Sequence, residues 1–507
     1  MAAAANVNLS SWRVHGAVMA ALVLAVCIVT ILVGERIGVN GGQGWDGIGY
    51  TQWAQDFDTN VLHTGLTKYH TQRILPSATV YYALRALGVT RTVPHVISAF
   101  LVLNTLLLTL GAVIWAHLGE VMKWPRAAVW AGFIALFGSF ANLRHALYYP
   151  TLTDPTAFVM GLAMTWAYLT KRPVVLGLVA LLSTVTWPAL PPIAIALLVL
   201  PRADAMIDPE TRWQRVQRLV ALSAALALAG VFLWTARIYL LHPVPGVGDE
   251  KFAAWVRRDL LVLTVPGLII MLGGGWYLLL RQGQLWNPTG YVRQLRVRRT
   301  LIAIAAAGAI VALRAVWITK TGTHGEGPTW AQFKCEHTLA AIRGPLWGIV
   351  HHVVYFGPII LVATIAWRRI AALGASWGPS AVLALALALA FAAGSNSRQW
   401  NHLVPFIVAA TIAVTHELWT TRRVVEFAAL TLAWSKLWLV IGYDKHDNWL
   451  TFPNQRYFMN QGPYANDTMY LVHLIACAVT TGLLYVLLFR SQSAVQAHGG
   501  AVGGHEP

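Results

Sequence analysis

The sequence predicts an all-α protein, a polytopic transmembrane helix bundle with about 11–14 membrane segments. Its composition is the first reason: 57% of the 507 residues are hydrophobic and 11% are charged, with a mean hydropathy of +0.57. Soluble domains do not reach such values. The second reason is the length of apolar runs such as residues 219–241 and 469–489, since a helix needs roughly 20 residues to cross the hydrocarbon core. Only helices or closed barrels satisfy their backbone in lipid, and runs of this length favour helices.

The apolar segments define a single transmembrane domain over residues 1–490. The first run, residues 14–34, is longer than the apolar core of a secretory signal and has no cleavage site after it, which predicts a retained helix. The remaining segments are residues 93–118, 127–140, 156–170, 173–185, 188–200, 219–241, 260–280, 301–318, 346–367, 379–394, 403–415, 424–442 and 469–489. Prolines between residues 187 and 192 predict that two short segments form a helix pair bent back near the outer leaflet. Residues 491–507 are expected to be a disordered cytoplasmic tail.

The basic residues predict the topology. Short connections rich in arginine and lysine lie at residues 171–172, 202–218, 281–299, 368–369, 422–423 and 490. All of them fall inside if the N-terminus is cytoplasmic, as the positive-inside rule expects. Both termini are then expected to be cytoplasmic, and residues 35–92 to form the first extracytoplasmic loop. The high content of alanine, arginine and tryptophan favours a bacterial plasma (inner) membrane. Within that loop, residues 76–87 have apolar groups at helical spacing and predict an interfacial helix.

The charge distribution indicates which partners to expect. A formal charge of +17 in a membrane protein favours membrane lipids with anionic headgroups, or a phosphate-bearing lipid, over nucleic acid. The apolar runs contain almost no carboxylates, whereas ion-coupled transporters commonly need ionisable groups within the membrane. We therefore expect the chemistry at the outer face, where Asp46 follows the first apolar run.

Three short motifs resemble those of a known superfamily. Asp46-Gly-Ile-Gly-Tyr50, Arg73-Ile-Leu-Pro76 and Tyr149-Pro-Thr-Leu-Thr-Asp154-Pro resemble the GT-C superfamily of integral-membrane glycosyltransferases, most of all a poorly characterised bacterial branch. The resemblance covers residues 1–200 best. Leu75 and Phe57 depart from the pattern of that branch, which leaves the sugar and the acceptor undetermined.

The resemblance implies a function in the cell envelope. The donor would be a polyprenyl-phosphate-linked sugar, and the acceptor a glycan, lipid or protein on the extracytoplasmic face, with inversion at the anomeric carbon. Asp46 would be the catalytic base. That role is chemically coherent, because a carboxylate within about 3 Å can take the proton that an acceptor hydroxyl loses. An Asp-Gly pair also makes an ordinary turn, which is the structural alternative for Asp46.

Other residues are candidates for binding the substrate or the lipid phosphate, whose growing charge needs preorganised donors. They are Tyr50, Arg73, Arg144, Asp154, Arg314, Arg398 and His402. Arg314 lies inside an apolar run and is expected to face a protein cavity or reach the interface. Arg398 equally fits an interfacial anchor. Asp154 before Pro155 equally fits a helix N-cap.

Several alternatives stay open. No organic cofactor follows from the sequence, and a divalent metal stays open because Asp56 and Asp58 add carboxylates without supporting ligand spacing. Cys27, Cys335 and Cys477 are too scattered for a zinc site or a disulfide framework. The rival functions are a transporter or flippase of a lipid-linked or anionic substrate, and a non-catalytic membrane scaffold.

Overall fold

The computed structural model describes residues 9–203, 214–244, 249–322, 329–439, 441 and 465–490. Within these ranges the protein is helical and has no strand, which confirms the all-α class. The predicted tail, residues 491–507, lies outside the described residues. The α-helices, numbered in chain order, are α1 Leu9–Val33, α2 Gly47–Gln55, α3 Leu75–Ala86, α4 Val93–Val121, α5 Arg126–Phe137, α6 Ala146–Tyr148, α7 Asp154–Leu169, α8 Pro173–Ser183, α9 Leu190–Val199, α10 Gln214–Leu241, α11 Asp249–Ala254, α12 Leu261–Leu268, α13 Gly275–Leu280, α14 Pro288–Val292, α15 Val297–Thr321, α16 Trp330–Ile342, α17 Trp347–Phe356, α18 Ile359–Ile365, α19 Trp367–Trp377, α20 Pro379–Ala393, α21 Ser397–Trp400, α22 Val404–Thr415, α23 Thr421–Ser435 and α24 Asp467–Leu484.

Six helical segments of the described chain are long and apolar enough to cross a membrane. They are Arg13–Val33, Val93–Val121, Gln214–Leu241, Arg258–Leu280, Val297–Thr321 and Asp467–Phe489. Two bent pairs would raise the number to eight if each is one span: α5 with Ala141–Tyr148, bent by 54°, and α18 with α19, bent by 80°. The larger number predicted from the sequence also includes shorter apolar helices such as α8, α9 and α20, and it stays a prediction.

The outward faces of the long helices are apolar. Leu32 and Val33 at the end of α1 are 75% and 81% exposed, and α15 exposes Leu301 and Ile302 in the same way. Inside the bundle, α10 packs through small residues such as Ala225. Soluble proteins rarely expose large contiguous apolar patches, so this distribution supports a multi-pass membrane protein.

One predicted segment, residues 346–367, is two helices in the structure. Helix α17 ends at Phe356, and α18 begins at Ile359. Gly357 between them has φ +81°, and Pro358 has no N–H to donate to the preceding turn. Gly357 and Pro358 therefore end one helix within a segment that hydropathy alone predicts to be continuous.

Helices α7, α8 and α9 connect two ends of the bundle. Helix α7 begins at Asp154 and ends at Leu169. Helices α8 and α9 form a hairpin, because Pro173 at the start of α8 and Leu198 near the end of α9 line the same recess. The hairpin turn lies at the other end, where the Leu75 N–H donates to the Val185 carbonyl at 2.9 Å. We call the end that carries residues 35–92 the first-loop end.

Helix α15 runs between the same two ends. Arg299, near its start, lines the recess that Pro173 lines. Near its other terminus the Thr321 carbonyl accepts a hydrogen bond of 2.7 Å from the Leu66 N–H in the first loop. Because Lys171, Arg172, Arg202 and Arg299 line the recess, we call this second end the cationic end.

The predicted helix at residues 76–87 is α3. Its face with Val80, Tyr81 and Leu84 is buried against α2 and α4, while Leu87 just after it is exposed. The Ser77 hydroxyl donates to the Tyr50 carbonyl at 2.9 Å and joins α3 to α2. An amphipathic helix is therefore present, and its position at a membrane interface stays a prediction.

Candidate functional site

The glycines around Asp46 allow the first loop to approach the segment before α7 very closely. Gly44 has φ +70°, and a Cβ there would lie 2.2 Å from Tyr149 Cζ. A Cβ on Gly47 would lie 2.1 Å from Thr151 Oγ1, and the Gly47 N–H donates to the Tyr149 hydroxyl at 3.1 Å. Only residues without a side chain fit these positions. The glycines thus hold Asp46, in the turn before α2, against the segment that leads to Asp154.

Asp154 is the first residue of α7, but it does not cap the helix. The N-cap is Thr153, and no side-chain capping bond is made there, so the N-cap interpretation of Asp154 is wrong. Its carboxylate instead accepts two hydrogen bonds from Arg398, from Nε at 2.9 Å and from Nη2 at 3.1 Å. Such a bidentate pair fixes the orientation of the guanidinium. Asn401 adds a hydrogen bond of 2.8 Å to the Asp154 carbonyl.

Arg398 also contacts Asp46. Its Nη1 lies 3.4 Å from Asp46 Oδ2, so one guanidinium joins two carboxylates that lie far apart in the sequence. The side chains of Arg398 and Asp154 are 10% and 4% exposed, whereas that of Asp46 is 55% exposed. Arg398 is therefore buried, and the interfacial-anchor interpretation is wrong. We call these three residues the acid–arginine cluster.

Arg73 is a second buried cation at the first-loop end. Only 2% of the residue is exposed, and its guanidinium carbon lies 4.5 Å from the ring centroid of Tyr69 and 4.3 Å from that of Trp187. It is also hydrogen-bonded to the Tyr50 side chain. Stacking on aromatic faces stabilises a buried guanidinium and leaves its edge free to donate. No described residue accepts a hydrogen bond from Arg73 Nε.

Arg73 and Arg398 are close enough that both charges act on the same two tyrosines, Tyr50 and Tyr69. Burial raises the pKa values of Tyr50 and Tyr69, so both phenols stay neutral, and the charges of Arg73, Asp46 and Arg398 all act on both rings. Tyr50 and Tyr69 thus lie near both Arg73 and the acid–arginine cluster. Two more buried polar atoms of this region, Thr153 Oγ1 and Asn401 Oδ1, have no hydrogen-bond partner among the described residues. Buried polar atoms are normally satisfied, so these two atoms are positioned to bond to water or to a polar ligand.

Arg314 reaches the first loop, as expected of a cation that avoids lipid. Its Nη2 donates to the side-chain oxygen of Gln72, the residue before Arg73. One turn later on α15, the Trp317 indole N–H donates to the Thr71 carbonyl at 3.0 Å. Arg314 therefore fastens α15 to the loop beside Arg73.

Arg144 is engaged elsewhere. Its Nη2 lies 2.9 Å from Glu35 Oε2, and its Nη1 donates to the carbonyls of Lys436 and Leu439. The same glutamate oxygen accepts from the Ile441 N–H at 2.7 Å. These contacts tie the end of α1 to the segment after α23, and the structure does not bring Arg144 into the acid–arginine cluster.

His402 lies in the core. It is fully buried, and its ring centroid is 6.4 Å from that of Trp187. A Cβ on Gly161 of α7 would lie 2.0 Å from the His402 carbonyl oxygen. His402 is therefore packed between Trp187 and α7, without an exposed surface for a substrate.

Sequence reasoning did not single out three residues that contact the site. Tyr69 and Trp187 stack on Arg73, and Asn401 binds the backbone of Asp154. The Trp187-Pro pair indicated a turn between α8 and α9, and Asn401 lies three residues after Arg398. Neither signal shows which distant residue the side chain will meet.

The described residues contain no group of three or more His, Cys, Asp or Glu side chains that could hold a metal ion. Asp56 accepts a hydrogen bond of 3.2 Å from the Thr59 N–H, and Asp58 is paired with Arg85 at 3.0 Å. Neither of these two carboxylates is bonded to a partner that it shares with Asp46.

Comparison with known proteins identified no relative: no family model matches the chain, and no curated protein or solved structure matches it.

Proposed function

We propose that this protein is an integral-membrane glycosyltransferase of GT-C type in a bacterial plasma membrane. It would transfer a sugar from a polyprenyl-phosphate-linked donor to an acceptor at the first-loop end, which we take to be extracytoplasmic. One observation carries the proposal. An exposed carboxylate, Asp46, is held by a buried arginine, Arg398, whose orientation is fixed by Asp154, and a second buried arginine, Arg73, lies nearby.

Asp46 is the proposed general base. As the acceptor oxygen bonds to the anomeric carbon, its proton passes to the Asp46 carboxylate, and the bond between that carbon and the phosphate oxygen breaks. Asp46 has the exposure that an incoming hydroxyl requires. Arg398 and Asp154 act as positioning residues, because both side chains are buried and they form two hydrogen bonds with each other.

Arg73 is the proposed ligand of the leaving lipid phosphate. Arg398 contacts two carboxylates, so the net formal charge of the acid–arginine cluster is negative. A negative cluster disfavours the binding of a phosphate anion. Arg73 contacts neutral aromatic rings instead, so its positive charge is available to an anion. The phenol of Tyr50 and the guanidinium of Arg314, through Gln72, would support it from the loop side.

The test is a transfer assay with purified protein in detergent. A panel of polyprenyl-phosphate-linked hexoses and pentoses, each with a radiolabelled sugar, is offered together with a membrane extract as the acceptor source. An enzyme releases polyprenyl phosphate and labels an acceptor without needing a second compartment, whereas a transporter or flippase does neither.

The decisive variant is Asp46→Asn, which removes the base and keeps the shape. We expect it to abolish transfer while membrane insertion and thermal unfolding stay unchanged. Asp56→Asn is the matched control, because Asp56 lies in the same loop and bonds only locally to Thr59, and it should retain transfer. Normal transfer by Asp46→Asn would disprove the assignment of the base.

A further inference from the structure

A recess at the cationic end has no part in the proposed reaction. It is lined by the end of α7, the start of α8, the end of α9 and the cations Lys171, Arg172, Arg202 and Arg299. Helix α7 separates it from the acid–arginine cluster: Asp154 and Tyr168 are 14 residues apart, or about 21 Å at 1.5 Å per helical residue. Any ligand of this recess is therefore independent of the transfer site.

Four cations converge on the recess from three parts of the chain. Lys171 and Arg172 join α7 to α8, Arg202 follows α9, and Arg299 lies on α15. The structure shows no ion pair between Arg172, Arg202 or Arg299 and a carboxylate of the described residues. Burial, together with the charges of Arg202 and Arg299, lowers the pKa of Lys171. The cations are thus close enough to repel one another, and a bound anion would relieve that repulsion.

Arg202 is the most enclosed of these cations. Its Nη1 donates to the Leu169 carbonyl at 2.6 Å, which holds the guanidinium across the end of α7. Its Nε is buried and has no hydrogen-bond partner within the described ranges. The N-terminus of α8 begins beside it at Pro173, and the free N–H groups of a first helical turn add partial positive charge.

Two of the helices that line the recess, α8 and α15, also expose apolar side chains. On α8, Val174 and Leu178 are 76% and 54% exposed, and on α15, Val297 and Leu301 are 73% and 61% exposed. Helices α8 and α15 are in contact. A ligand that suits this surface combines an anionic group, for the recess, with hydrocarbon, for the adjoining helices.

We propose that the recess binds the phosphate of an anionic phospholipid whose acyl chains lie along α8 and α15. The recess is small and open on one side, so only the charged phosphate would contact its cations and the acyl chains would lie outside it. A soluble phosphate ester would satisfy the arginines but would leave the apolar faces of α8 and α15 uncovered. The continuity of charge and hydrocarbon therefore favours a lipid.

The experiment is native mass spectrometry of the full-length protein in a non-ionic detergent. Phosphatidylglycerol and phosphatidylcholine with the same acyl chains are titrated separately, and glycerol 3-phosphate is added as a soluble competitor. We expect phosphatidylglycerol to bind more tightly than phosphatidylcholine and to resist the competitor. Removing two cations in Arg172→Gln/Arg299→Gln should weaken phosphatidylglycerol binding by about 10- to 30-fold, since each surface cation contributes on the order of a factor of five.

Arg368→Gln/Arg369→Gln is the matched control, because it removes two exposed arginines from α19, outside the recess. This control should bind phosphatidylglycerol as the unchanged protein does, and both variants should melt at the same temperature. Equal binding of the two lipids, equal losses in the two double variants, or displacement by glycerol 3-phosphate at matched concentration would each overturn the proposal. None of these results depends on sugar transfer.

Discussion

Arg398 shows how one residue can unite parts of the chain that are far apart. It bonds to Asp154 through two nitrogens and approaches Asp46 with the third. Breaking a buried ion pair leaves an uncompensated charge, whereas replacing both partners by apolar groups is often neutral. The pair is therefore tested better by a double replacement than by a single one.

Asp154→Asn should destabilise the protein by about 3–5 kcal/mol, because the buried Arg398 loses its main counter-charge. Thermal unfolding in detergent measures this loss. Asp154→Leu/Arg398→Met should recover most of the stability but no sugar transfer, since Asp46 would lose the guanidinium that positions it. A double variant as unstable as Asp154→Asn would contradict this account of the pair.

At the level of elements, the glycine-rich turn before α2 packs on the segment before α7. Gly47→Ala should cost about 1–3 kcal/mol in stability and displace Asp46, because the new methyl group would overlap Thr151 Oγ1. Thermal unfolding and the transfer assay measure both effects. Adding Thr151→Ala removes the overlapping oxygen and should restore part of the loss.

Gly38→Ala is the matched control for that change. A Cβ at Gly38 would meet nothing within 4 Å, and its φ is −89°, a value that alanine adopts readily. This variant should be as stable and as active as the unchanged protein. A loss equal to that of Gly47→Ala would show that any methyl group in this region is harmful.

The link between α1 and the segment after α23 depends on Glu35 and Arg144. Because they form one pair, Glu35→Gln and Arg144→Gln should lower the melting temperature by similar amounts and leave the affinity for the lipid-linked donor unchanged in the folded fraction. Donor titration measured by intrinsic tryptophan fluorescence, together with thermal unfolding, checks both quantities. If Arg144 were a phosphate ligand, only Arg144→Gln would weaken donor binding.

At the scale of the whole molecule, the first-loop end and the cationic end are predicted to lie on opposite sides of the membrane. In a background without the three native cysteines, a membrane-impermeant thiol reagent should label His63→Cys in intact cells. It should label Arg172→Cys only after the membrane is permeabilised. Both positions are exposed in the structure. The reverse pattern would place the Asp46 loop in the cytoplasm and contradict the proposed function.

The sequence alone determined the helical class, because hydropathy is a local property and runs as long as residues 93–118 and 301–318 favour helices over the shorter strands of a barrel. It also singled out Asp46, Arg73, Asp154 and Arg398 by residue type and local motif. It did not show that Gly357 and Pro358 would divide a predicted segment, since hydropathy does not include backbone conformation.

The tertiary structure decided how those residues are used. It paired Asp154 with Arg398 instead of with its own helix end, turned Arg144 towards Glu35, and brought Trp187 onto Arg73. Each of these contacts joins positions more than 100 residues apart in the chain. Their energies depend on burial and on distances that arise only when the helices pack together, and no local pattern of the sequence contains that information.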